Sequence, residues 1–209
     1  MHTGRKPILR KPPVSAPANL QRAIFEPLQP AHWTLGEIAG RLVEVSGFWA
    51  PASLSFVFNL ALEAQRQGEL VGWSTSVESF FYPPDAARVG IDLRALVVVL
   101  APDACAIPRA GEKLLRSGAF GLVVLDIGKA DIPMALQARL AGLARQHHTA
   151  LVCLTEKEDR QLSLGSLVSL RAHAQRTQHA PGQFTCNLKV LKDKRRGPVW
   201  KHTEVFLRP

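Results

Sequence analysis

The sequence predicts an α/β fold built on a mostly parallel central sheet, and three observations lead to it. Short, continuous apolar runs rich in Val and Leu occur at residues 41–46, 70–74, 96–101, 122–127 and 150–155, as in strands buried on both faces. Helical periods fill the gaps, most clearly at 132–147, where Leu136, Leu140 and Leu143 share one face. Residues 167–175, 185–192 and 199–207 then predict longer strands joined by short polar loops, an antiparallel C-terminal extension of the sheet.

The composition indicates one core domain preceded by an arm. The chain has 209 residues, of which 46% are hydrophobic, and this is enough for one well-packed core. Residues 1–30 combine basic residues with several prolines, a composition that resists helix and sheet, so we expect a basic arm at 1–30 and the core domain at 31–209. The net charge of +9 favours a polyanion or an acidic protein surface as a partner.

The composition also favours a cytoplasmic protein. The 3 cysteines include no C-x-x-C pair, so we expect Cys105, Cys153 and Cys186 to be buried thiols in a reducing compartment, with no metal site. The first residues lack the apolar segment of a secretory signal. Residues 45–62 approach the length of a membrane span but are interrupted by Pro51 and Asn59, so no membrane association is expected.

Residues 43–55, V-E-V-S-G-F-W-A-P-A-S-L-S, lie where an apolar strand runs into a helix, the position of a phosphate-binding loop. A working loop reads G-x-x-x-x-G-K-[ST], because glycines allow backbone N–H groups to cradle phosphate, Lys meets the terminal phosphates and a hydroxyl holds the metal. Gly47 is present, but Ala52, Ser53 and Leu54 replace the second Gly, the Lys and the hydroxyl residue. The sequence therefore predicts a degenerate nucleotide site, no catalytic residue and no cofactor.

Two acidic residues and one aromatic residue complete the candidate site. Asp126 follows four apolar residues, the Walker B arrangement, and Glu78 follows the second strand. Without a Lys at position 53, these acids are expected to face each other with no cation between them. Trp49 could stack on a nucleic-acid base, with packing in the core as the alternative.

Taken in order, these segments resemble the RecA ATPase core. The resemblance rests on residues 40–47, 77–79 with 90–93, 122–126, the M-A-L-Q-A-R-L helix at 134–140 and the basic strand L-K-V-L-K-D-K at 188–194, and it covers about residues 36–207. It implies a RecA-like P-loop NTPase core.

The departures from RecA are as informative as the matches. Only residues 127–133 separate the Walker B strand from the following helix, where RecA has its first DNA-binding loop. Thr155 and Glu156 stand where RecA has an Asn-Gln pair, and about ten residues replace its second DNA-binding loop. The resemblance implies that the γ-phosphate sensor and both loops are largely lost, and we interpret residues 156–160 as a solvated turn.

In its degenerate ATP motifs and shortened DNA loops, the chain most resembles the ImuA family of SOS mutagenesis accessory proteins. This resemblance implies a non-hydrolysing role in DNA damage tolerance by translesion synthesis. The implied partners are RecA, an inactive Y-family polymerase homologue, an error-prone C-family polymerase and single-stranded DNA, and a homo-oligomer is also conceivable. Two alternatives stay open: an SOS cell-division inhibitor that binds the tubulin-like division protein, and an ATPase with non-standard ligands.

A cluster of cations near the C-terminus is the second candidate binding site. It consists of Lys189, Lys192, Lys194, Arg195, Arg196 and Lys201, which we name the basic hairpin. The RecA lysines that Lys192 and Lys194 resemble reach toward a neighbour's nucleotide, so the resemblance implies DNA or partner binding. A solvated turn that only favours solubility is the alternative.

Overall fold

Strands and helices alternate along the residues that the computed structural model describes, which are 32–47, 52–77, 81–180, 183–197 and 200–207. The predicted arm at 1–30 lies outside them. The helices are α1 (Leu35–Ile38), α2 (Ala52–Arg66), α3 (Pro83–Val89), α4 (Ile107–Ser117) and α5 (Met134–Gln146). The strands are β1 (Leu42–Ser46), β2 (Leu70–Ser76), β3 (Leu96–Ala101), β4 (Phe120–Gly128), β5 (Ala150–Thr155), β6 (Leu170–Ala180), β7 (Gln183–Asp193) and β8 (Lys201–Leu207).

The strands form one mixed sheet in the order β3-β2-β4-β5-β1-β6-β7-β8. The strands from β3 to β6 in this order are parallel to their neighbours, and β7 and β8 are antiparallel. The predicted mostly parallel sheet with an antiparallel extension is confirmed. One detail differs, because β6 still pairs in parallel with β1 and the change of direction comes one strand later, at β7.

Helices cover both faces of the sheet, and each face has its own apolar cluster. One cluster joins α1 and α2 to the sheet through residues such as Phe56, Val45 and Trp73. The other joins α4 and α5 to the opposite face, with Ile107 and Leu140 fully buried. Gly111 allows α4 to lie close to β4, because a Cβ at this position would overlap with Leu125.

Strand β3 departs from the prediction of burial on both faces. Among the described strands it lies at the edge of the sheet and pairs with β2 alone, and Val97, Val98 and Leu100 are exposed. The apolar run alone did not distinguish an edge strand from a central one, because both read as continuous Val and Leu. Central β1, by contrast, is buried along its whole length.

Candidate functional site

The segment predicted to be a degenerate phosphate loop joins β1 to α2, and its residues 48–51 lie outside the described residues. Gly47 N–H donates to Thr155 O at 3.1 Å, which continues the pairing of β1 with β5. Ala52 is fully buried, and Leu54 packs against the apolar cluster around α2. A Cβ on Gly47 would come within 3.3 Å of Ser53 Oγ, so the Ser53 side chain lies beside Gly47. Ala52 and Leu54 thus pack within the protein, and none of the residues at positions 52–54 carries a cationic side chain.

Of the two acids of the predicted site, Asp126 lies within the described residues and Glu78 does not. Asp126 is half-buried on β4, and Thr75 Oγ1 on neighbouring β2 donates to its Oδ2 at 3.2 Å. Glu78 and Trp49 lie outside the described residues, so the predicted opposition of Glu78 to Asp126 and the role of Trp49 stay predictions.

A serine at the end of β1 and a histidine on β6 lie next to each other. Ser46 Oγ is 3.2 Å from His173 Nδ1 and donates to Ala172 O at 3.2 Å. Burial lowers the pKa of His173, although Asp159 opposes this effect, so the ring is neutral near pH 7. Ser46 is fully buried and His173 nearly so. Because no substrate can reach the Ser46 hydroxyl, the pair ties β1 to β6 and is not a nucleophile with its base.

The best-connected polar residue of this region is Glu44, which the sequence analysis did not select. Glu44 is fully buried in the middle of β1, opposite Cys153 on β5 and Arg171 on β6. Its Oε2 accepts hydrogen bonds from Ser163 Oγ at 2.7 Å and Leu164 N at 3.0 Å, and its Oε1 accepts one from Thr155 Oγ1 at 3.3 Å.

Two cations neutralise the Glu44 carboxylate. Lys157 Nζ is 3.8 Å from Oε1, and Arg171 Nε is 3.9 Å from Oε2. Both cations are largely buried, with side-chain exposures of 14% and 8%. An acid inside the apolar run L-V-E-V was the available sequence signal, because a buried carboxylate requires cationic and hydrogen-bonding partners.

The Glu44 cluster fixes the connection between β5 and β6, residues 156–169. The Arg171 guanidinium donates to the carbonyl oxygens of Glu158 and Gln161. Lys157 also pairs with Asp131 at 3.5 Å, and Gln137 Nε2 donates to Leu164 O at 2.9 Å. The interpretation of residues 156–160 as a solvated turn holds in part: Glu158 and Arg160 are exposed, but Lys157 is largely buried and Arg171 binds the carbonyl oxygen of Glu158.

Most cations of the basic hairpin form ion pairs or hydrogen bonds with other residues of the chain. Lys189 pairs with Asp159 at 3.2 Å and lowers the pKa of that carboxyl, and Arg196 pairs with Glu37. Lys194 donates to Ser166 O, and the Arg195 guanidinium donates to the carbonyl oxygens of Glu37 and Ala39. Lys192 is half-buried, where burial and then Lys194 lower its pKa. Lys201 is exposed on β8.

The described residues contain no cluster of acids, histidines and cysteines able to hold a metal ion. Cys153 and Cys186 are buried as predicted, and burial raises the pKa of both thiols. Cys105 is exposed, so the prediction for this residue is wrong; it lies in a connection after edge strand β3 and not in an apolar strand. None of the helices within the described residues is long and apolar enough to cross a membrane.

Comparison with known proteins shows a distant relationship to RecA. No family model matches the chain. The chain is 30% identical over 117 residues to RecA of Clostridium botulinum (strain Eklund 17B), covering 50% of this chain and 33% of that protein. It is 28% identical over 132 residues to RecA of Chlorobium chlorochromatii, covering 54% and 35%, and to RecA of Chlorobaculum tepidum, covering 54% and 36%.

The chain thus spans about a third of the length of the curated relatives it matches. This homology supports membership of the RecA-like superfamily, and the mixed sheet with helices on both faces is consistent with a RecA-like core.

Proposed function

We propose that this chain is a cytoplasmic, non-hydrolysing RecA-like accessory protein of DNA damage tolerance, which acts in translesion synthesis by binding other proteins. The observation that carries the proposal is the loss of phosphate-binding chemistry from a RecA-like core. Ser53 stands where a Lys would meet the terminal phosphates, and Leu54 packs against the core where a hydroxyl would hold magnesium. Triphosphate charge would be unmatched in such a site.

The short connections at the carboxyl ends of the strands support the same proposal. The connection between β5 and β6 is bound to the core through Glu44 and Arg171, so it does not extend outward as a DNA-binding loop would. A core that binds neither nucleotide nor DNA at this edge of the sheet still has surfaces on which other proteins can dock. The partners that follow from the resemblance to the ImuA family are RecA, the inactive Y-family polymerase homologue and the error-prone C-family polymerase.

We expect no ATP turnover above background, with or without single-stranded DNA. The Ser53→Lys change alone should not restore nucleotide binding, because Ala52 still carries a Cβ where Gly allows close backbone approach and Leu54 still lacks a hydroxyl. Nucleotide affinity is measured by calorimetry, with the triple change Ala52→Gly, Ser53→Lys and Leu54→Thr as the comparison that supplies all three missing residues. Magnesium-dependent turnover that disappears in Glu78→Gln would contradict the proposal.

We expect the basic hairpin to bind single-stranded DNA only weakly. Lys194 and Lys201 are exposed and have no carboxylate partner among the described residues. Reversing both charges removes at most two phosphate contacts, and each contact on a single strand is worth roughly 0.7 in the slope of log affinity against log salt, or about 1.4 for the pair. Fluorescence anisotropy over a range of salt concentrations measures this slope.

The matched control for the hairpin is Arg66→Glu, which reverses an exposed cation at the end of α2. It should leave the slope unchanged. A slope change in the Lys194→Glu, Lys201→Glu protein well beyond two contacts would mean that the internally paired cations of the hairpin also reach DNA.

A further inference from the structure

The two helices on one face of the sheet carry an excess of positive charge. α4 and α5 together contain five cations and one acid, namely Arg109, Lys113, Arg116, Arg139, Arg145 and Glu112. The helices of the opposite face, α1, α2 and α3, contain two arginines and three acids, so a net charge of +4 on one face stands against −1 on the other. Cations gathered on one face are the electrostatic signature of a surface that binds a polyanion.

The cations of α4 form a stripe along the outer side of the helix. The buried residues of α4, which face the sheet, are Ile107, Pro108, Gly111 and Leu115. Arg109, Lys113 and Arg116 follow one another at intervals of four and three residues, so they share the opposite side, and all three are exposed. At a rise of 1.5 Å per residue, this stripe is about 10 Å long.

A shared carboxylate joins the stripe to α5. Glu112 Oε1 is 2.8 Å from Arg116 Nη2 and 3.3 Å from Arg139 Nε. The two guanidinium groups therefore lie beside each other, and their side chains are still 63% and 52% exposed. One carboxylate cannot neutralise two guanidinium groups, so positive charge is left over where the helices meet. We name the four residues Arg109, Lys113, Arg116 and Arg139 the α4–α5 face.

The other cations of the α4–α5 face are unpaired. Arg109 and Lys113 form no ion pair with any acid of the described residues. Asp131, which precedes α5, is paired with Lys157 at 3.5 Å. Asp103 precedes α4 and accepts a backbone hydrogen bond at the start of that helix at 2.8 Å. Even with Asp103 counted, four cations face two acids, so the surface keeps its excess of positive charge.

The composition of the α4–α5 face favours phosphate groups over an acidic protein as its ligand. Protein interfaces depend on aromatic and aliphatic anchors, and their centres are depleted in charge. Of the large apolar side chains exposed among the described residues, Met134 alone belongs to α4 or α5, and it is the first residue of α5. Nucleic acids gain affinity largely through phosphate contacts, which require cations and no apolar anchor.

An apolar groove beside half of the α4–α5 face is the place where an acidic protein segment could bind. The groove has a volume of about 330 Å³ and lies between the end of β3 and α4, with Leu100 and Leu114 among its lining residues. Arg109 and Lys113 border it, whereas Arg116 and Arg139 do not. A ligand of this groove would therefore use half of the cations, and a phosphate backbone would use both halves.

Duplex DNA fits the α4–α5 face better than a single strand does. Binding of single strands relies on aromatic side chains on which bases stack, and α4 and α5 contain no aromatic residue. Packed helices are about 8–10 Å apart, so cations on two rigid helices can contact the two phosphate strands that border a groove of the duplex. The duplex also has twice the charge density of one strand, at one charge per roughly 1.7 Å of its axis.

We infer that the α4–α5 face binds the phosphate backbone of duplex DNA without reading its sequence. The inference goes beyond the proposed function and does not depend on RecA as the partner. It assigns DNA contact to a helical face on one side of the sheet, away from the strand ends that the shortened loops occupy.

The test is fluorescence anisotropy with a labelled DNA duplex over a range of salt concentrations. Two variants each neutralise half of the face: Arg109→Gln with Lys113→Gln, and Arg116→Gln with Arg139→Gln. Glutamine keeps a donor for the Glu112 carboxylate, and all four side chains are exposed, so both variants should keep the wild-type melting temperature. Each should lower the slope of log affinity against log salt by about 1.8, because each duplex phosphate contact contributes roughly 0.9.

The matched control is Arg66→Gln with Arg88→Gln, which neutralises two exposed arginines of α2 and α3 on the opposite face. The slope of the control should equal that of the wild type. Polyglutamate with the same total charge as the duplex is the second probe, and it should bind more weakly because its charges are less dense.

Each other outcome would overturn the inference. If the wild-type protein does not bind the duplex at low salt, the inference fails while the proposed partnership with RecA stands. A loss confined to the Arg109→Gln, Lys113→Gln protein would place the contact at the apolar groove. Polyglutamate that binds as tightly as the duplex would identify a site for acidic protein. A slope lowered equally in the control would show that DNA affinity follows net charge and not this face.

Discussion

Replacing Glu44 with alanine should lower the free energy of unfolding by about 3–5 kcal/mol. The carboxylate is fully buried, and Arg171 beside it is 8% exposed at its side chain. Removing Glu44 leaves that guanidinium without a carboxylate partner among the described residues, and it leaves Ser163 Oγ and Leu164 N–H without their acceptor. The loss of stability therefore comes from buried polar groups left without partners as well as from the missing ion pair.

Urea unfolding measures the global effect of Glu44→Ala, and hydrogen exchange measures the local one. Backbone amides of residues 156–169 should exchange faster, because this connection is held by the Glu44 cluster. Glu44→Gln should lose less stability, since it keeps an acceptor oxygen, and it remains measurable if the alanine protein does not fold. Glu112→Ala, which removes surface pairs with Arg116 and Arg139, is the control. Unchanged exchange in residues 156–169 of both Glu44 variants would refute this role.

Which segments form strands, and the presence of an antiparallel C-terminal extension, could be predicted from the sequence, because buried strands read as continuous apolar runs and the last three segments are joined by short polar loops. The prediction of 150–155 and 96–101 matches β5 and β3 in extent. What the runs did not reveal is position in the sheet: among the described strands β3 lies at the edge and β5 is central, yet both are apolar apart from Thr155 at the end of β5. Edge position depends on which strands pair, and pairing is a property of the whole chain.

The sequence predicts where a candidate site lies but not the contacts around it. The replacements at Ala52, Ser53 and Leu54 follow directly from comparison with a phosphate-loop pattern. The cluster of Glu44, Lys157 and Arg171 joins residues more than a hundred positions apart, and only folding brings them together. The same holds for the basic hairpin, whose cations are visible in the sequence although their partners are not: Asp159 and Glu37 form ion pairs with two of them.

A second buried ion pair joins the start of the fold to its C-terminal strands. Arg41 Nη2 is 2.6 Å from Asp193 Oδ1, and the two side chains are 2% and 1% exposed. Arg41 also donates to Ser169 Oγ at 2.9 Å, and Trp200 Nε1 donates to Asp193 Oδ2 at 3.2 Å. The pair thus links the residue before β1 to the end of β7.

Asp193→Ala should also cost about 3–5 kcal/mol, because it leaves the Arg41 guanidinium buried and unpaired. Asp193→Asn should cost less, since it keeps an acceptor for Arg41. The wild-type advantage over Asp193→Asn should depend on pH. Burial alone would raise the pKa of Asp193, but the Arg195 N–H, Arg41 and Trp200 outweigh it and hold the pKa below its ordinary value of 3.8.

A carboxyl group with a lowered pKa in the folded state stabilises the protein fully above its unfolded pKa and loses this contribution as the pH falls through the folded value. The difference in unfolding free energy between wild type and Asp193→Asn should therefore be constant above pH 3.8 and shrink below it. Urea titrations of both proteins across the acid range measure this difference. A gap that stays constant below pH 3.8 would show that the ionised carboxylate of Asp193 does not contribute, and that its hydrogen bonds alone account for the cost of the alanine change.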